Sequence, residues 1–401
     1  EKESLILQEK ENDMISTDTC IGCQACVDCC PVQAISFTYD FWGDGKAQVN
    51  LQKCVNCSLC DSICPARKME LNPEQKNVFA VVSKINSKKG SSGGFFFEVA
   101  SEFLRSGGVV YGAAFDENLK LCHVCVKKVD DLIPLCKSKY VHSDMEGIYK
   151  QIGFNLKQGI PVMFVGTPCQ TSAVKNLYKK KYRERVLLVD FLCHGTGTQK
   201  VFDICKTYEE QHKNGRITDF CFRSKSRKAE HSFTYTLNTM GRKKTISGYS
   251  FEYPYYNGYL SYTIFQDACY RCEYTKTMRV GDITLGDFWG IQNFDSHLKD
   301  YKGVSMISVN TELGDKWFAR VINNCEQKSF PIECATSKNQ SFTCCVPAPK
   351  KKKKQLAKLL IENGSDALVE ELKCHNIPKS IIYAMTPQWV IRVYDRVRGR
   401  K

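Results

Sequence analysis

Along residues 80 to 215, unbroken apolar runs alternate with stretches whose apolar residues recur every three or four positions. "FFFEVASEFLRS", 95–106, has the second pattern, which predicts a helix that stops at Gly107-Gly108. "VVYGAAF" (109–115), "PVMFVG" (161–166) and "VLLVDFL" (186–192) have the first and predict buried strands. "TPCQTSAVKNL" then predicts a turn into a helix after the second of these strands. Buried strands alternating with helices imply an α/β body. After residue 215 the apolar runs shorten, as in "SFTYTL" and "GVSMISVN", and the pattern turns to mixed α+β. No apolar run reaches the ~20 residues of a membrane span, and the first residues, "EKESLILQEK", lack the charged, apolar and small regions of a secretory signal, so a cytoplasmic location is expected.

Residues 1–75 are punctuated differently. Cys20, Cys23, Cys26 and Cys30-Pro31 stand in the spacing C-x2-C-x2-C-x3-C-P, and Cys54, Cys57, Cys60 and Cys64-Pro65 repeat it. Three thiolates in a short loop reach three corners of a cubane, and the fourth corner comes from elsewhere. In the bacterial two-cluster ferredoxin pattern the fourth cysteine of each run serves the other cluster. The expected ligand sets are therefore Cys20, Cys23, Cys26 and Cys64 for one [4Fe-4S] cluster, and Cys54, Cys57, Cys60 and Cys30 for the other. Zinc knuckles use paired C-x2-C and four ligands, and they call for neither the third cysteine nor Cys-Pro. Cys29 fits no ligand slot and reads as a packed thiol. A short extended stretch is expected after each run, "QAISF" and "KMEL".

Composition agrees with metal ligation. The 401 residues hold 23 cysteines, nine of them between positions 20 and 64. Disulfide scaffolds are small secreted chains, so this density in a long chain favours thiolate clusters in a reducing compartment. The formal charge of +14 is concentrated late: residues 350–401 hold thirteen Lys and Arg against five Asp and Glu. The run "KKKKK" at 350–354 reads first as a solvated face leading into helices, not as a nucleic-acid surface, since the body shows no helix-turn-helix and no basic groove.

Two motifs lie at predicted strand ends, where ligands collect in open α/β sheets. "GTPCQ", 166–170, carries Cys169, and "CHG", 193–195, carries Cys193. "CYRC" adds Cys269 and Cys272. Together the four cysteines would make a third ligand set, although Cys169 and Cys193 also read as small buried hydrophobes. "SSGG", 91–94, precedes the first long helix, where small residues and a helix N-terminus would suit a flavin or nucleotide phosphate or would simply cap the helix. "CHVC" puts Cys122 and Cys125 in a predicted strand, where the two thiols point apart; these and Cys136 read as packed thiols.

The motifs "SSGGFF", "SKYVHS", "FVGTPCQ", "DFLCHG", "CYRC" and "GDITLGDFWG", in this order, resemble the beta-subunit family of coenzyme F420-reducing hydrogenase and formate dehydrogenase, which also holds 7-hydroxymethyl chlorophyll a reductase. The resemblance spans about residues 85 to 320. It implies FAD, a third [4Fe-4S] cluster and hydride exchange with a soluble partner. It divides the chain into a ferredoxin domain (1–75), family-like N- and C-terminal domains (76–158 and 159–345) and a basic helical segment (346–401). Carried onto this chain, it implies FAD contacts at Ser92, Gly93, Gly94, Lys139, Tyr140, Gly166, Thr167, Pro168, Gln170 and Gly195, and the proximal cluster at Cys169, Cys193, Cys269 and Cys272.

Electron counting orders these parts. Iron–sulfur clusters carry single electrons, organic substrates take hydride equivalents, and a flavin converts between them. The expectation is a ferredoxin-linked flavoprotein oxidoreductase acting on a hydride-accepting substrate of deazaflavin or nicotinamide type. His194 is the first candidate proton donor, because its ordinary pKa lies near neutrality, with Asp287 and Lys139 as alternatives. The rival expectation is an electron-relay subunit without a substrate of its own, docking to a partner oxidoreductase through "WVIRVYDRVRGRK" at 389–401.

Overall fold

The computed structural model describes residues 19–226, 231–300 and 303–374; the docking segment expected at 389–401 lies outside them. The described chain forms two compact units, one of residues 19–137, 141–199 and 265–347, the other of residues 138–140, 200–264 and 348–374.

The first unit opens with two short helices, α1 (Ala25–Cys29) and α2 (Leu59–Ile63), flanking a hairpin of β1 (Ile35–Tyr39) and β2 (Gly45–Val49). An eight-stranded mixed sheet follows. Its strands are β3 (Asn77–Ser83), β4 (Val109–Phe115), β5 (Leu121–Val126), β6 (Val162–Gly166), β7 (Val186–Phe191), β11 (Ile283–Asp287), β12 (Ser305–Val309) and β13 (Cys325–Pro331). Their order across the sheet is β13-β3-β12-β11-β7-β6-β4-β5. The centre, β4-β6-β7-β11, is parallel, and the flanking pairs are antiparallel. The apolar runs at 109–115, 161–166 and 186–192 are thus the buried middle of the sheet, as their unbroken pattern predicts.

Alternation sorts the two faces. Val110, Met163 and Leu187 pack with α3 (Phe95–Arg105) and α8 (Glu312–Val321). Tyr111, Phe164 and Leu188 pack with α4 (Ile148–Lys157) and α5 (Pro168–Val174), and on this face Cys23, Ala25 and Ile63 of the N-terminal segment join the core. The cysteine-rich segment is therefore built into the first unit.

The expected strand at "KMEL" does not form: residues 68–71 are irregular. β1 finds its partner in β2, between the two cysteine runs. The backbone at 68–70 is held instead by side chains of the segment after α5, with Asn176 Nδ2 donating to Lys68 O at 2.9 Å and Lys175 Nζ to Glu70 O at 2.9 Å.

The second unit holds α6 (its residues from Lys200 to His212), the antiparallel sheet of β8 (Arg216–Cys221), β9 (Ser232–Thr239) and β10 (Arg242–Tyr249), α7 (Pro254–Leu260) and α9 (Lys350–Leu372). Its core is aromatic, with Phe202, Phe222 and Tyr255 packed together. The lysine run, expected to lead into helices, itself forms the start of α9, which is broken at Gly364, where φ is 83°. Among the described residues no helix is long and apolar enough to cross a membrane.

Candidate redox centre

The two N-terminal loops repeat each other in backbone as well as in sequence. Gly22 and Asn56, each before the second cysteine of its run, have φ of 70° and 53°; Gln24 and Ser58, each after it, have φ of 63° and 55°. Left-handed residues at both positions curl three cysteines around one point. Each loop runs into a five-residue helix, and Cys30 and Cys64 leave those helices with nearly identical φ/ψ, −65°/115° and −66°/117°. The following proline takes the chain away.

Electrostatics show which thiols are neighbours. Burial pushes the Cys23 thiol well above its usual range, and Cys26, Cys20 and Cys64 push it further. Cys26 is raised to about 12 by burial, then by Cys20, Cys64 and Cys60. Cys64, 38 positions after Cys26 in the chain, thus stands with the first run. In the second run, burial, Asp61 and Cys57 raise Cys60. Cys30 and Cys60 lie against the same small core of Ile35 and Ala47. Cys29 faces elsewhere, against the core that holds Tyr149 and Ile152.

The segment is pinned by buried polar contacts. Asp28 accepts the backbone N–H groups at the start of α4, from Gly147 at 3.0 Å and Tyr149 at 3.1 Å. Tyr149 donates its hydroxyl to Cys23 O at 2.8 Å, and Tyr274 donates to Pro65 O at 2.7 Å.

The third set gathers at the C-terminal edge of the parallel strands. Cys169 sits in the first turn of α5, just after β6; Thr167 and Gln170 form a capping box there, and Thr167 Oγ1 lies 3.1 Å from Cys169 Sγ. Cys193 follows β7. Cys269 lies within a 3₁₀ turn at Asp267–Arg271, and Cys272 is its C-cap. Burial raises Cys193 well above its usual range, and Cys269, Cys169 and Cys272 add to it. Burial, Cys272 and Cys169 bring Cys269 to about 12, and burial and Cys169 bring Cys272 to about 11. Four thiols that resist ionising beside one another are a cage for cationic iron, which inverts that preference. Among the described residues no three His, Cys, Asp or Glu side chains are close enough to hold a single metal ion.

Tyr149 and Tyr274 span the first and third sets. Burial raises both hydroxyls, and each also feels Cys23 and Cys169. Sequence reading missed these tyrosines, and it also missed Cys345, whose thiol lies 3.2 Å from Tyr270 O, within the C-x2-C turn, and close enough to raise Cys272.

The other expected site residues separate into groups. His194 and Asp287 come together at the sheet edge: burial lowers the His194 pKa, and Asp287 opposes it. Gly195, at φ 128°, has no room for a side chain, since a Cβ would lie 2.3 Å from Phe265. Lys139 and Tyr140 belong to the second unit, where Tyr140 stacks on Tyr259 with ring centroids 4.3 Å apart. Cys122 and Cys125 face apart on β5. Cys122 lies against Ala114 O, and Cys125 lies in the core with Tyr111.

At "SSGG" the glycines answer to the protein itself. A Cβ on Gly93 would lie 2.1 Å from Val81 O, and one on Gly94 2.6 Å from Asn86 O. Gly94, at φ 87°, is the N-cap of α3, and no side chain caps that helix. An uncapped helix start preceded by Lys88 and Lys89 fits a diphosphate.

Residues 19–68 match the family model of the 4Fe-4S dicluster domain, and residues 161–333 match that of the C terminus of the coenzyme F420 hydrogenase/dehydrogenase beta subunit. No protein of curated function matches the chain. Among solved structures, a chain of the F420-reducing [NiFe] hydrogenase complex from Methanosarcina barkeri, studied by xenon derivatization, is 16% identical. That match covers 76% of this chain and 93% of the other, with a TM-score of 0.44. The chain thus joins a region similar to the 4Fe-4S dicluster domain, residues 19–68, to a region similar to the C terminus of the coenzyme F420 hydrogenase/dehydrogenase beta subunit, residues 161–333.

Proposed function

We propose that the chain is a cytoplasmic flavoprotein oxidoreductase that takes single electrons from ferredoxin, or another low-potential carrier, and delivers hydride equivalents to a soluble acceptor of the deazaflavin or nicotinamide class. The observation that carries this reading is the convergence of Cys169, Cys193, Cys269 and Cys272, with Tyr149 and Tyr274 reaching from that set to Cys23. When bound, the clusters would supply one-electron steps and FAD the conversion to hydride.

The chain's residues do the rest. Cys20, Cys23, Cys26 and Cys64 hold one cluster, Cys54, Cys57, Cys60 and Cys30 a second, and Cys169, Cys193, Cys269 and Cys272 a third. Asp28, Tyr149 and Tyr274 fix the dicluster segment to the sheet that bears the third set. The start of α3, with Ser92, Gly93, Gly94 and the two preceding lysines, holds the FAD diphosphate. Buried beside Asp287, His194 is placed to hold the proton that accompanies the hydride.

Anaerobic purification with an iron count and acid-released flavin analysis tests this. About twelve iron, three cubanes at four each, and one FAD per chain are expected. Full iron without flavin turns the protein into an electron relay serving a partner enzyme. About eight iron removes the third cluster.

A further inference from the structure

One half-buried histidine joins the first and third cysteine sets. His142 Nε2 lies 3.1 Å from Gly22 O, and Gly22 sits between Cys20 and Cys23. His142 Nδ1 lies 3.2 Å from Thr196 Oγ1. The Thr196 backbone N–H donates to Cys269 Sγ at 3.4 Å. A carbonyl only accepts, so Nε2 carries the hydrogen. Burial holds the His142 pKa below its usual value, against Gly22 and Asp144, so the ring is neutral and Nδ1 accepts the Thr196 hydroxyl.

The backbone reinforces the link. His142 N donates to Gly197 O at 2.8 Å, and Gln266 N donates to Thr196 O at 2.9 Å. Bridges Val141–Gly197 and Gly197–Phe265 lace three chain segments side by side. Thr196 is thereby clamped between the histidine and the segment that leads into the Cys269 turn. The route through Tyr274 also leaves the first set, at Pro65 O, and reaches the third at Ser172 and, through the Tyr274 backbone N–H, at the Cys272 sulfur. The route through His142 ends on a different sulfur of the third set, that of Cys269.

We propose that His142 and Thr196 form the hydrogen-bonded path by which the cluster at Cys20, Cys23, Cys26 and Cys64 passes single electrons to the cluster at Cys169, Cys193, Cys269 and Cys272. This rests on the ligand sets of the proposed function. His142 is a positioning residue: it touches neither cluster and holds Thr196 against Cys269. In each transfer one electron leaves the first cluster, which is oxidised, and reduces the third; no covalent bond changes, and the Nε2 proton stays in place. A low-potential one-electron donor of the ferredoxin class supplies the electron.

The test uses the full chain with its iron, reduced by dithionite and freeze-quenched for EPR, with a redox titration of the third cluster. His142→Phe removes both ring hydrogen bonds, and the third cluster should be reduced about tenfold more slowly, the scale on which outer-shell partners act. Its midpoint potential should fall, because hydrogen bonds to cluster sulfur raise it. In His142→Gln the amide N–H can serve Gly22 O and the amide oxygen Thr196, so most of the rate should return. Thr196→Val, which keeps the N–H to Cys269 but drops the hydroxyl, should show a partial loss, and it decides the matter if His142→Phe does not fold. About twelve iron with parental rate and potential in His142→Phe, or in Thr196→Val where His142→Phe fails to fold, overturns the path alone. About eight iron in the parent protein overturns the third site and the path with it.

Discussion

The carboxylate of Asp28, in the helix that carries the third cysteine of the first run, accepts the backbone N–H of Tyr149 at 3.1 Å. Asp28 therefore caps a helix 121 residues away in the chain, and through Tyr149 it holds the aromatic ring that reaches both Cys23 and Cys169. A buried cap of this kind contributes about 1–2 kcal/mol. Asp28→Ala should lower the unfolding free energy of the iron-loaded protein by that amount, followed through the loss of cluster absorbance in denaturant. Asp28→Asn, which still caps, should recover part of it. Equal midpoints for parent and Asp28→Ala would show that the contact does not hold the segment.

Crossed ligation makes Cys29 and Cys30, adjacent in sequence, behave differently. Cys30→Ser should remove the cluster held mainly by Cys54, Cys57 and Cys60, lowering the count by about four iron. Cys29 packs away from both loops, against the body. Cys29→Ser should keep all the iron and lose only a little stability. Iron counts with EPR of each reduced variant check this; a similar loss in both would place the register one residue off.

What the chain discloses by itself follows from the range of the interactions. The central strands are legible because burial on both faces writes an unbroken apolar run, and the dicluster segment is legible because its ligands are local. The partners of β3 are not: it pairs with β12 and β13, more than 200 residues later, and no local pattern encodes that. "KMEL" reads as extended by analogy with the stretch after the first run, yet side chains at 175 and 176 take up its carbonyls. His142 and Thr196 carry no periodic signal, since their role exists only once residues 22, 142, 196 and 269 meet. The glycines of "SSGG" read as room for a ligand, and the structure gives them a second reason, contact with Val81 and Asn86.

That second reason changes how the flavin site is best probed. Gly94→Leu would meet Asn86 O and adopt an unfavourable φ of 87°, so it should destabilise α3 whether or not FAD binds there. Lys88→Ala and Lys89→Ala leave the glycine contacts intact and remove charge next to the helix start, although Lys89→Ala also removes the ammonium that sits 3.6 Å over the Phe97 ring. Under the proposed placement each should weaken FAD retention by up to about fivefold, the reach of an exposed charge contact, with iron unchanged. Equilibrium dialysis of flavin from each variant measures it. Parental retention in the double variant would move the diphosphate elsewhere.

The third set contains a fifth thiol nearby, and the geometry separates ligand from neighbour. Cys272 is raised to about 11 by burial and by Cys169, whereas the Cys345 thiol is directed at Tyr270 O, 3.2 Å away. The carbonyl contact occupies the Cys345 thiol, whereas a cluster ligand must be a thiolate turned to iron. A serine at position 345 can donate to the same carbonyl; a serine at 193 or 272 cannot replace a soft thiolate on iron. Cys193→Ser and Cys272→Ser should each lower the anaerobic iron count from about twelve to about eight, with the EPR signals of the two N-terminal clusters retained. Cys345→Ser should leave about twelve. If instead Cys345→Ser loses four iron and Cys272→Ser loses none, the fourth corner of the third cluster belongs to Cys345, and the C-x2-C pair supplies only Cys269.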